Sequence, residues 1–196
     1  MFKNTERGAA LVEFSIMLPF LVLMVFGVID FGDAFYRSTS TQSAMLAGSR
    51  VGFDAGDNYD HDYRVMRTIM IELQNINVDD ISQITFYDAS KHDSVPSACL
   101  NKGKGADGEY GVCATYGEEF LEKVVNGTAL AEFNASICSN SADRNWCATD
   151  RDPVAEDETW EVGVHLVAEQ ETLTGIIPFF TSFDIEKNIV ITEFKR

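Results

Sequence analysis

The sequence predicts an α+β protein: a long N-terminal transmembrane helix continuing into a small extracytoplasmic domain with a short antiparallel sheet. Three observations carry that prediction. From Phe14 to Ile29 only Ser15 and Pro19 interrupt an apolar run. Met66, Ile69, Met70, Leu73 and Ile76 recur at helical spacing. Trp160, Val162, Val164, Leu166 and Ala168 alternate with polar positions, the period of a half-buried strand.

Residues 1–8, MFKNTERG, are polar and carry Lys3 and Arg7. At about 1.5 Å per residue, the roughly 20 residues that follow reach about 30 Å, one hydrocarbon thickness. Basic residues before the run and an acidic bulk after it place the N-terminus in the cytoplasm. The helical pattern continues through Phe31, Phe35, Met45 and Leu46 without a further proline. One helix over 9–50 is therefore predicted, in the membrane over about 10–30, with a kink at Pro19 where a backbone donor is missing. Ser40, Ala44 and Gly48 stand four apart, a spacing that lets another backbone come close.

Residues 51–196 form the outer domain. After a loop at about 51–60, a helix capped by Asp60 or Asp62 carries the methionine and isoleucine stripe as core packing. ISQITFYDAS reads as a strand, and KHDSVPSACLNKGKGADGEYG as a loop. Glu118 to Val125 is a short helix ended by Asn126 and Gly127. TWEVGVHLVAEQ is the alternating strand, with His165 on its polar face. TLTGIIPFFTSF is a loop of unusual apolar content, and EKNIVITEFK a terminal strand paired with the preceding one. The outer half of the long helix and the second helix cover this sheet.

A net charge of −16 and a pI near 4.4 argue against nucleic acid, whose phosphates need clustered Lys and Arg. The acidic loop with Asp54, Asp57, Asp60 and Asp62 lacks the alternate-position order and the glycine of an EF-hand, so solvated acids are the reading rather than calcium. Cys99, Cys113, Cys138 and Cys147 follow a membrane segment, which suggests two disulfides in an oxidising compartment. Short loops close most readily, which favours Cys99 with Cys113 and Cys138 with Cys147 and leaves the other two pairings open. No C-x2-C pair supports zinc, and GKGADGE lacks the order of a phosphate loop; no cofactor and no metal are expected. His61, His92 and His165 are widely separated and no nucleophile motif accompanies them, so no enzyme is expected.

Glu13 immediately precedes the apolar run, five residues after Gly8. The run RGAALVEFSIMLPFLVLMVFGVIDFGDAFY resembles the N-terminal signature of TadE-like minor pilins (pseudopilins) of the tight-adherence, or Tad/Flp, type IV pilus family. The resemblance is specific over about 7–50 and weak across 51–158. It implies that a prepilin peptidase cuts between Gly8 and Ala9, and that Glu13 and Phe14 then occupy mature positions five and six. It further implies an inner-membrane protein, with other pilins and pseudopilins of its system as partners. Ala9 and Glu13 are four apart on one helical face, so the carboxylate can neutralise the new amine in its own chain or in a neighbour. Ile176, Ile177, Phe179, Phe180 and Phe183 form a second candidate contact: they either complete the core or meet a partner. An uncleaved single-pass anchor bearing a binding domain would need neither Gly8 nor Glu13. A secretory signal would have only the poor cleavage site Gly32-Asp33-Ala34.

Overall fold

The computed structural model describes residues 5–56, 58–74, 81–100, 113–130, 146, 151, 160–172, 174 and 182–193. The order of elements is α1 Thr5–Ala55, α2 His61–Glu72, β1 Ile81–Asp88, α3 Ser97–Leu100, β2 Cys113–Gly117, α4 Glu118–Val125, β3 Trp160–Glu171 and β4 Ser182–Glu193. The fold is α+β, as the sequence predicts. It divides into two compact units, Met1–Arg37 with Gln170–Phe183, and Ser38–Glu169 with Asp184–Arg196.

The second unit holds an antiparallel four-stranded sheet in the order β2-β1-β3-β4. Ile84 and Phe86 on β1 stand beside Leu166 and Val164 on β3, and beside Tyr116 and Ala114 on β2. All six are buried and form one apolar face. The other face carries Gln83, Thr85, Tyr87, Gly163 and His165, and it is buried as well. His165 therefore does not sit on a solvated face. Period two in the sequence marks side chains as opposite, and only the cover on the second face decides whether they meet water.

Gly163 explains how that second face packs. A Cβ there would lie 2.1 Å from Tyr87 Cζ, so the tyrosine ring lies directly over the glycine. The ring reaches past β3, and its hydroxyl donates to Asn188 Oδ1 on β4 at 3.0 Å. Gly163→Ala is expected to displace the ring and lower stability by about 1 to 3 kcal/mol, the usual penalty of overpacking. Urea unfolding of the full chain in detergent checks this.

The outer part of α1, residues 38–55, buries Thr41, Ala44, Met45, Gly48, Gly52 and Ala55 at three- and four-residue spacing. A Cβ on Gly48 would sit 2.6 Å from Ile69 Cγ1, and one on Gly52 2.8 Å from Ile191 Cδ1. The small-residue spacing thus serves an approach within this chain, bringing α2 and β4 onto the helix. α1 runs past the predicted loop start and stops at Gly56, whose φ of 57° and N–H to the Gly52 carbonyl (3.1 Å) make a left-handed cap. α4 ends as the sequence predicts. Gly127 has φ 73°, its N–H meets the Val124 carbonyl, and Thr128 N–H meets that of Lys123.

Asp60 occupies the N-cap position of α2 without capping it. Its carboxylate instead accepts from Arg64 Nε at 2.7 Å. α3 falls where the sequence reads as loop, and β2 where it reads no element: four and five residues are too few to show a period. β4 begins at Ser182, earlier than the apolar terminal run, and takes in Phe183.

Candidate functional site: the apolar helix and its carboxylate clamp

Gly8, Ala9, Glu13 and Phe14 all lie in α1, and all four are exposed. A Cβ on Gly8 would meet nothing within 4 Å, so the chain's own packing does not demand glycine there. Among the described residues Glu13 has no hydrogen-bond or ion-pair partner. On both sides of it the helix exposes large apolar side chains, from Leu11 through Val25. Ser15 keeps its hydroxyl satisfied by donating to the Val12 carbonyl at 2.7 Å, which suits an apolar surrounding. The helix continues through Pro19. Its most apolar window has a mean hydropathy of 2.4 and no buried residue, so length and composition suffice to cross a membrane.

The apolar run ends on two carboxylates. Asp30 is buried, and its oxygens accept from the Thr174 N–H at 3.0 Å and the Thr174 hydroxyl at 2.6 Å. Asp33 Oδ2 accepts from Gln170 Nε2 at 2.8 Å and pairs with Arg37 Nε at 3.1 Å. Asp30, Asp33 and Arg37 share one helix face by their spacing. Together they hold Gln170 and Thr174 against α1. The sequence placed Asp30 and Asp33 within the continuing helix and assigned them no role. A carboxylate directly after a membrane-length run, three residues before another, was the available signal. Ile176, Ile177, Phe179 and Phe180 lie in the β3–β4 connection but outside the described residues, and Phe183 is in β4.

Cys99 and Cys113 form a disulfide with Cα atoms 6.2 Å apart, joining α3 to β2. The Cys99 carbonyl accepts from Gln83 Nε2 at 3.3 Å and from the Thr115 hydroxyl at 3.2 Å, which ties α3 to the polar sheet face. Cys138 and Cys147 lie outside the described residues.

Sequence reasoning missed a buried ionic cluster. Arg151 Nη2 donates to both oxygens of Asp62 at 2.7 Å, and the Tyr116 hydroxyl donates to Asp62 Oδ2 at 2.9 Å. His61 Nδ1 lies 2.8 Å from Asp62 Oδ1. The guanidinium also stacks 4.4 Å above the Trp146 ring. Burial pushes the Asp62 carboxyl up, but Arg151 and His61 outweigh it and hold the pKa at about 2. Asp60 and Asp62 are thus committed to arginines rather than presented as solvated acids. His61 and His165 are both buried, and burial lowers the His165 pKa against the opposing pull of Glu186.

An apolar helix of membrane length, exposed along its run, ahead of an α+β unit fits a membrane-anchored protein. Residues 8–50 match the family model of TadE-like protein. No curated protein and no solved structure matches the chain.

Proposed function

We propose that this chain is a minor pilin, or pseudopilin, of a Tad-type pilus, acting in assembly, initiation or tip decoration. A prepilin peptidase removes residues 1–8. Ala9 becomes the mature N-terminus, α1 sits in the bacterial inner membrane with its start in the cytoplasm, and the α+β unit lies outside. Other pilins and pseudopilins are its partners, with Glu13 neutralising an N-terminal amine. The observation that carries this reading is the match over 8–50, which contains Gly8, Ala9, Glu13 and Phe14 at the start of an exposed apolar helix.

Intact-mass measurement after co-expression with the cognate peptidase is expected to show loss of the first eight residues. Gly8→Leu is expected to leave full-length precursor in the membrane. Open space around Gly8 means that the substitution tests the peptidase and not the fold. A chain still starting at Met1 would return the reading to an uncleaved anchor bearing a binding domain.

A further inference from the structure

The sheet order leaves two outer strands, β2 and β4. β2 blunts its edge in a common way, by being short: it has five residues and begins at the disulfide-bonded Cys113. β4 runs for 12 residues, about twice the usual strand length, contains no proline, and among the described residues has a strand on one side only. The backbone N–H and C=O groups on its outer side therefore lack strand partners.

That outer side opens into a groove of about 420 Å³ between β4 and the end of α1, lined by Arg50, Phe53 and Asp54 from the helix and by Val190, Ile191 and Thr192 from the strand. Successive side chains of a strand point to opposite faces, so a groove that touches three in a row runs along the strand's edge rather than over either face. Ile191 is buried and packs against Gly52, whereas Val190 and Phe53 are 44% and 45% exposed. The groove thus offers backbone pairing on one wall and apolar contact on the other.

The exposed side chains of β4 read Asp184, Glu186, Asn188, Val190 and Thr192 in alternate positions. Among the described residues neither Asp184 nor Glu186 makes a hydrogen bond or an ion pair, and Glu186 acts on His165 only at a distance, through its charge. Arg50 and Asp54 carry opposite charges in the helical wall, and Lys187 alternates to the other face of the strand. The acidic pair therefore sets the sign of this edge. A second copy of the chain, with net charge −16 and the same acidic pair, would bring like charge to it.

We propose that the outer edge of β4 receives an extended segment of a partner protein as a fifth, antiparallel strand, with an apolar side chain opposite Val190 and basic side chains opposite Glu186 and Asp184. Backbone hydrogen bonds hold such a strand, and its alternate side chains select it. Opposite charges directly across an antiparallel pair favour the pairing, and like charges oppose it.

Two fluorescent peptides of about ten residues test this on the full chain in detergent. One carries a valine followed, at the spacing of Val190, Glu186 and Asp184, by two lysines among threonines; the other has glutamate for lysine. Fluorescence anisotropy is expected to show saturable binding of the lysine peptide, several-fold tighter than that of its counterpart, and hydrogen exchange to slow over residues 184–192 as it binds. Asp184→Lys with Glu186→Lys should invert the preference. Both side chains are exposed, so the urea midpoint of that variant should match the parent's. No saturable binding of the lysine peptide up to millimolar concentration, or binding that leaves exchange over 184–192 unchanged, overturns the site. Equal affinity for the two peptides overturns the basic partner. Light scattering that finds the chain dimeric without peptide, and monomeric after Val190→Asp, gives the edge to a second copy and overturns the proposal as well.

Discussion

Arg151→Ala is expected to lower the stability of the folded chain by about 3 to 5 kcal/mol, because it leaves the buried Asp62 carboxylate without its main counter-charge. Arg151 and Asp62 are 4% and 2% exposed, so water cannot replace the lost guanidinium without opening the core. Tyr116 would still donate to Asp62, but the contacts of Arg151 with His61 Nδ1 and its stacking on Trp146 would be lost as well. Urea unfolding of the full chain in detergent should show the midpoint fall sharply. The double variant Asp62→Leu with Arg151→Met should recover much of the loss, since an apolar pair of similar volume can match a buried ion pair. An Arg151→Ala midpoint within experimental error of the parent would mean that the pair is solvated in solution.

The same cluster sets an acid dependence. Asp62 titrates lower in the folded chain than its ordinary 3.8, so its contribution is complete above that value and is lost as pH falls toward about 2. The shift corresponds to about 2 kcal/mol. His165 acts earlier. Burial lowers its pKa, so the unfolded chain takes up that proton first, and stability begins to fall as pH drops below 6.5. Arg151→Ala should abolish much of the lower step, while His165→Gln should flatten the upper one.

On the proposed role as a processed minor pilin, Glu13→Gln is expected to leave cleavage after Gly8 intact and to reduce pili severely. Among the described residues Glu13 has no hydrogen-bond or ion-pair partner that would explain a carboxylate there, and it stands one helical turn from Ala9. An unpaired charge in the bilayer costs on the order of 2.5 to 3.5 kcal/mol, about a hundredfold or more in an assembly equilibrium. The amide cannot remove that charge from the new amine. Counting surface pili in cells alongside the processed mass separates assembly from cleavage. Normal pili carrying the processed variant would make the carboxylate incidental.

The features legible in the sequence are those written in local order along one chain. The length of the apolar run requires only that consecutive side chains avoid water, and the stop of α4 requires only that Gly127 tolerate a positive φ. The alternating strand and the Gly8 to Phe14 signature are local in the same way. Tertiary structure decided what lies opposite each of these. It placed Arg151 on Asp62, 89 positions away, and turned an apparent acid loop into a buried ion pair. Likewise Thr174 came to Asp30 across 144 positions, and Tyr87 came to lie on Gly163, closing a sheet face that alternation alone marked as open. A lone carboxylate, glycine or histidine carries no sign of its partner, because burial and pairing are properties of the space around a side chain and sequence neighbours do not fill that space.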